Sequence, residues 1–340
     1  MEAINNVVLA VSNFLYQPFI LPVILLVGGL YFTIRTGGVQ IRMFKECLRV
    51  VTEKPKTENG ISSFGALMVS TASRVGTGNI IGVATAVICG GSGAIFWMWL
   101  SAFLGGASAF IESTLAQIYK KKNADGSSYG GPAFYMRDAL NARWLGVIFS
   151  VLIIFTYAIG YNMLAAFNLQ STFQVFSFYG DRTPAIIGVI LAALFGAVVI
   201  GGAHRLVKVT GVLVPVMGII YVAISLIVLV LNIGNIPAMF AGIFKNAFDF
   251  QAIFGGFAGS CIMFGIKRGL YSNEAGMGSA PNAAATADVS HPVKQGLVQM
   301  LSVFIDTMLI CTATAFMCLS TNIIPQNYLG ADGSADAAGY

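Results

Sequence analysis

Residues Val75-Gly76-Thr77-Gly78-Asn79 interrupt an otherwise apolar run from Phe64 to Val87. Two glycines flanking a threonine make local unwinding of a helix inexpensive. An unwound turn in an apolar medium leaves amide and carbonyl groups that need partners. Amides at a new helix start suit a carboxylate, and freed carbonyls suit a sodium ion. The competing reading is a packing crossover, because small residues at short spacing let membrane helices approach closely. A second glycine-rich run, Gly255 to Asn282, carries Gly259, Gly265 and Gly269 around a candidate break. Asn273, Glu274, Gly276 and Gly278 lie at its end, where Lys267 and Arg268 read as snorkelling charges and Ser272 to Glu274 as a helix cap.

Other ionisable residues fall inside apolar stretches. Arg74 lies beside the first break, about 16 Å of helix from Ser63, and reads as half of a buried ion pair with Glu274, Glu112 or Asp306. Asp306 is a cation ligand or the partner of Arg74. Glu112 reads as a cap at the inner end of its helix, and His204 and His291 as residues at loop edges. The five cysteines have no C-x-x-C spacing, so neither a zinc site nor a disulfide framework is indicated. H-E-x-x-H, G-x-S-x-G and G-x-x-x-x-G-K-[ST] are all missing, which argues against an enzyme.

The elements that must position these residues follow from composition. Of 340 residues 56% are apolar and 10% charged, the mean hydropathy is +0.79, and a soluble domain carries about 25% charged residues. The chain therefore reads as an all-α polytopic membrane protein whose partner is the lipid bilayer. A net charge of +5 spread without a basic stripe excludes nucleic acid. Stretches of about 20 apolar residues give roughly eight spans, starting near residues 16, 63, 92, 145, 184, 207, 252 and 296. Lys and Arg concentrate in alternate loops, such as Arg35 to Lys56 and Lys120 to Arg143, while the tail from Thr321 to Tyr340 has neither. By the positive-inside rule both termini lie outside a cell (cytoplasmic) membrane, with Met43, Cys47, Leu48 and Val51 forming an interfacial helix. The two glycine-broken spans are five apart and so enter the membrane from opposite sides, the inverted-repeat pattern of secondary transporters.

Four motifs carry a resemblance: G-G-S-G-A-I-F-W-M-W-L at Gly90 to Leu100, S-N-E-A-G-M-G-S-A-P at Ser272 to Pro281, H-P-V-K-Q-G at His291 to Gly296, and G-G-P-A-F-Y-M at Gly130 to Met136. With them the chain resembles the alanine or glycine:cation symporter family, the sodium:alanine symporters. The resemblance implies a fold similar to the bacterial leucine transporter, with five plus five inverted spans after one extra helix. Eight of those eleven spans are present here, so the pattern reads as C-terminally truncated. It divides the chain into an N-terminal helix and basic segment (1–62), a first five-helix repeat (63–232), a partial second repeat (233–320) and a tail (321–340).

By position the resemblance implies that the amides of Thr77 and Gly78 take the substrate carboxylate. It likewise implies that the carbonyls of Ala72 and Val75 help hold sodium, and that Asn79 offers an amide oxygen to a second cation site. On the facing helix Ile262, Ile266 and Gly269 are three or four residues apart, one face of a wall for a small side chain. Many relatives carry Gln-Ala-Asn where this chain has Ala165-Ala166-Phe167, and Asn168 and Gln170 differ from Ala165 in helical phase. Trp97 and Trp99 read as interfacial anchors. The function implied is sodium-coupled import of alanine or glycine by alternating access. A proton-coupled carrier or exchanger using Asp306 or Glu112, or a non-transporting membrane subunit, is the alternative. Oligomeric state is left open.

Overall fold

A computed structural model describes residues 2–16, 20–55, 57, 60–124, 126–174, 176–249, 261–321, 323, 325–330, 335–337 and 339. Helices α1 (Glu2–Tyr16) and α2 (Ile20–Arg35) open the chain, and α3 (Val39–Arg42) and α4 (Phe44–Val51) occupy the basic segment. Next come α5 (Ser63–Arg74), α6 (Gly78–Gly90) and α7 (Ala94–Ile118). A hairpin of β1 (Lys121–Lys122) and β2 (Ser128–Tyr129) leads to α8 (Pro132–Ala139), α9 (Arg143–Ser171), α10 (Thr183–Val199) and α11 (Gly202–Leu231). Helices α12 (Ile236–Ala247), α13 (Cys261–Asn273), α14 (Ala280–Thr286) and α15 (Pro292–Ser320) complete the fold.

Helices α7, α9, α11 and α15 are long and apolar enough to cross a membrane, and α5 with α6 forms a fifth candidate span bent by 57°. In their most apolar stretches α9 and α11 bury only 6% and 11% of residues against the rest of the protein. Such surface calls for cover by lipid or by further protein. Helices α2 and α10 are shorter apolar helices at the expected first and fifth spans. Helix α12 and the N-terminal α1 were not expected from hydropathy.

Helix α7 is the central pillar, packed on α2, α13 and α15. One core cluster joins Cys47 and Val50 of α4, Leu67 of α5, Phe110 of α7 and Leu297 and Met300 of α15. The amphipathic α4 therefore rests on protein through Cys47 and Val50, and Leu48, expected on its apolar face, is exposed. A second cluster joins Val83 and Val87 of α6, Ile95 and Met98 of α7, and Ile243 of α12.

The two glycine-rich stretches differ. Helix α5 is capped by the Ser62 hydroxyl, which accepts from the Gly65 amide at 3.0 Å, and it ends at Val75, where the backbone turns extended. Helix α13, by contrast, is continuous from Cys261 to Asn273 through Gly265 and Gly269, so the part of the candidate break that these two bracket is helical; Gly255 and Gly259, on its other side, lie outside the described residues. A Cβ on Gly265 would collide with the Ala94 carbonyl and lie 2.7 Å from Trp97 Cβ, and one on Gly269 would collide with the Ser101 hydroxyl. These glycines are the close-approach face of α13 against α7. The chain leaves α13 at Glu274, whose φ is 52°, followed by Gly276 and Gly278 at 82° and 79°, all in the left-handed region.

Candidate functional site

The interruption between α5 and α6 is held open by side chains. The Val75 amide still donates to the Thr71 carbonyl at 2.8 Å, but the Gly76 amide turns to Asn79 Oδ1, also at 2.8 Å. Asn79 Nδ2 donates to Asp306 Oδ1 at 2.7 Å and to Ser272 Oγ at 3.1 Å. Ser272 and Thr307 hydroxyls donate to Asp306 Oδ2 at 2.6 and 3.0 Å, and Thr314 donates to the Asn79 carbonyl at 2.8 Å. Asp306 thus ties α6 and α13 together from α15, and it is fully buried. It is not a direct partner of Arg74. The first turn of α6 (Gly78–Gly82) and the segment of α15 that carries Asp306 (Phe304–Cys311) are both widened to π-helix. Such bulges gather at functional sites.

Beside the break lies a cavity of about 600 Å³. Four of the sequence-derived site residues line it: Ala72, Val75, Thr77 and Gly78. The opposite wall is aromatic, made by Tyr157 and Tyr161 of α9 and Tyr271 of α13. The Tyr161 and Tyr271 rings stack edge-on with centroids 5.8 Å apart, and a Cβ on Gly78 would lie 3.0 Å from the Tyr271 ring. Glycine at 78 is therefore a condition of this wall. These tyrosines were missed from sequence; Tyr157 and Tyr161, four apart in a helical run, were the available signal.

Asn79 sits behind the turn, with the oxygen assigned to a cation accepting from Gly76. Ile262 packs with Ala86, Ala94 and Cys261, Gly269 faces α7, and neither these two nor Ile266 belongs to the cavity wall. The phase argument against Asn168 fails: it lies three residues after the cavity-lining Ala165, on the same helix face, and its Nδ2 donates to the Thr77 hydroxyl at 3.0 Å. Gln170 accepts instead from the Tyr179 hydroxyl.

Charged groups surround the break. Arg74 is 5% exposed, and its Nη1 and Nη2 have no hydrogen-bond partner among the described residues. Glu112, Glu274 and Asp306 all feel its charge, yet among the described residues no ion pair within 4.0 Å includes it. Glu112 is no cap of its own helix, since α7 continues to Ile118; it accepts from the Gly276 and Gly278 amides at 3.3 and 3.2 Å, a nest of left-handed glycines around an anion. Glu274 accepts from Ser279 at 2.6 Å and from Ser73 at 3.4 Å. Trp97 and Trp99 donate to the Ala247 carbonyl at 3.0 Å and the Thr312 hydroxyl at 2.8 Å, so both bind neighbouring helices inside the protein.

Known proteins are similar to this chain in sequence. A probable sodium/glutamine symporter of Bacillus subtilis is 46% identical over 321 residues, covering 94% of this chain and 66% of that protein. An amino-acid carrier protein of the same organism is 46% identical over 323 residues, 95% of this chain and 68% of its own length. A sodium/alanine symporter of Methanococcus maripaludis is 41% identical over 322 residues, 92% of this chain and 70% of that protein. The chain thus spans about two thirds of the length of these relatives. The family model of the sodium:alanine symporters matches residues 1–338, and with helices long and apolar enough to cross a membrane and an unwound turn among them, this chain belongs to the sodium:alanine symporter family.

Proposed function

We propose that the chain forms the substrate-binding part of a sodium-coupled importer of small neutral amino acids, alanine and glycine among them, that works by alternating access. The observation that carries this reading is the cavity of about 600 Å³ at the α5–α6 break, where an interrupted helix meets an aromatic wall. The Thr77 and Gly78 amides, at the positive end of α6, receive the substrate carboxylate. Thr77, held by Asn168, keeps that turn in place.

Sodium takes the carbonyls of Ala72 and Val75 at the negative end of α5. Asn79 belongs to the cation side of the turn, where the buried Asp306 carboxylate beside it supplies the negative charge that favours a cation. Sodium is carried with the substrate rather than held as a cofactor. The volume falls within the range that holds drug-sized ligands, so steric exclusion alone does not separate alanine from larger amino acids. Selectivity then comes from the aromatic wall. The leucine-transporter-like fold and outside termini belong to this same reading.

Labelled alanine uptake into proteoliposomes under an imposed inward sodium gradient tests it. Uptake that collapses when sodium is replaced by choline is expected. Uptake driven equally by a proton gradient without sodium would transfer the function to proton coupling.

A further inference from the structure

Helices α5 and α15 pack side by side and run parallel, because their cross-links keep one order: Gln295 Nε2 donates to Ser63 Oγ at 3.2 Å, and the Thr71 and Ser302 hydroxyls meet at 3.1 Å. This register sets Gln299 level with Leu67 to Ser70, and Arg74 level with Asp306. The result is a polar seam about 16 Å long inside the protein, separate from the cavity wall along much of its length. It is buried throughout: Ser63, Ser70, Thr71, Gln295, Gln299 and Ser302 are each 2% exposed or less.

The seam is also unsatisfied. Gln295 Oε1, both amide atoms of Gln299, Ser70 Oγ, and Nη1 and Nη2 of Arg74 have no hydrogen-bond partner among the described residues. Buried polar groups are almost always paired, with protein or with ordered water, and a concentration of orphans along one interface means that something else supplies the bonds. The chemistry of the orphans identifies it. An anion would need donors only and a cation acceptors only, whereas Gln295 offers an acceptor, Arg74 offers donors, and Gln299 and Ser70 offer both. Water satisfies such a mixture, typically through about three bonds per molecule.

We propose that the α5–α15 seam binds a file of buried water running from the Ser63–Gln295 end to Arg74, where it meets the amino-acid cavity that Arg74 also lines, a second aqueous access to the helix break. The Ser63–Gln295 end of the seam is one residue from Lys294, which pairs with Glu53 at 2.6 Å and is partly exposed. The file solvates Arg74, which explains how a guanidinium persists at this depth without a direct carboxylate partner.

Pulsed hydroxyl-radical labelling of the intact chain in lipid tests this, because radicals formed from bound water mark adjacent side chains even where bulk solvent cannot reach. Leu67, level with Gln299, and Ile95, in the apolar core, are 2% and 0% exposed. The file predicts labelling of Leu67 well above that of Ile95, with reduction in Gln299→Leu. Equal labelling of Leu67 and Ile95 in the unmutated chain overturns the proposal without recourse to any variant. Labelling that disappears only when choline is replaced by sodium would assign the seam to a cation and overturn it as well. Neither readout depends on transport, so failure of the symport reading leaves this test intact.

Discussion

Gly76 and Gly78 on one side of the site and Gly265 and Gly269 on the other are similar in local composition and opposite in consequence. The first pair lies where α5 stops and α6 restarts at 57°; the second lies inside an unbroken α13. The difference is in what surrounds them. At Gly76 the amide released from the helix ladder has a ready acceptor in Asn79 Oδ1, and a Cβ there would meet nothing within 4 Å. At Gly265 and Gly269 the missing Cβ atoms are occupied by α7, and every backbone group stays in the helix. A glycine pair in a membrane helix thus becomes a break when a nearby side chain can satisfy the freed backbone groups, and a packing face when a neighbouring helix fills the space.

The largest expected effect comes from filling the packing face. Gly269→Leu drives a side chain into Met98 and Ser101 and should cost about 3 kcal/mol, the upper end of overpacking penalties, measured as a loss of thermal stability in detergent. Tolerance of this substitution would show that α13 does not approach α7 as described. Removing the side chain that holds the break comes next. Asn79→Ala leaves the Gly76 amide and Asp306 Oδ1 each short of a partner, at a cost of about 2 kcal/mol, and it should weaken sodium dependence more than substrate selectivity. An unchanged melting temperature and sodium activation curve would remove Asn79 from the account.

How far such positions were legible beforehand depends on whether the signal is local. The break at Val75 to Asn79 is local: glycine, threonine and asparagine within five residues announce both the unwinding and its partner. The apolar spans of α7, α9, α11 and α15 are equally plain from hydropathy. The role of Gly265 and Gly269 is not local, because it depends on Ala94, Trp97, Met98 and Ser101 of a distant segment. Nothing in a single sequence distinguishes that from a hinge. The same limit hid the aromatic wall, which joins Tyr157 and Tyr161 to Tyr271 across more than a hundred residues, and the nest that Gly276 and Gly278 form around Glu112. Asn168 is legible as well, since an i, i+3 relation to Ala165 places both on one face.

Smaller effects sharpen the contrast within the break itself. Gly78→Val should weaken amino-acid binding at least about tenfold, or 1.4 kcal/mol, because its side chain meets Tyr271. Tyr271→Ala in the same chain should recover part of the loss by making room, and absence of any recovery in a direct binding assay would separate Gly78 from the wall. Gly76→Ala, with open space at its Cβ and an ordinary backbone, should stay within about 0.5 kcal/mol of the parent in thermal unfolding.

The central claim is that the amides of this unwound turn receive an amino acid together with sodium. Scintillation-proximity binding of labelled alanine to the purified chain, in sodium and in choline, and with Gly78→Val beside the parent, tests it most directly. The account predicts saturable binding in sodium, little in choline, and loss of the sodium-dependent component in Gly78→Val with the protein still folded. Binding that is indifferent to sodium, or equal in the parent and Gly78→Val, would contradict it.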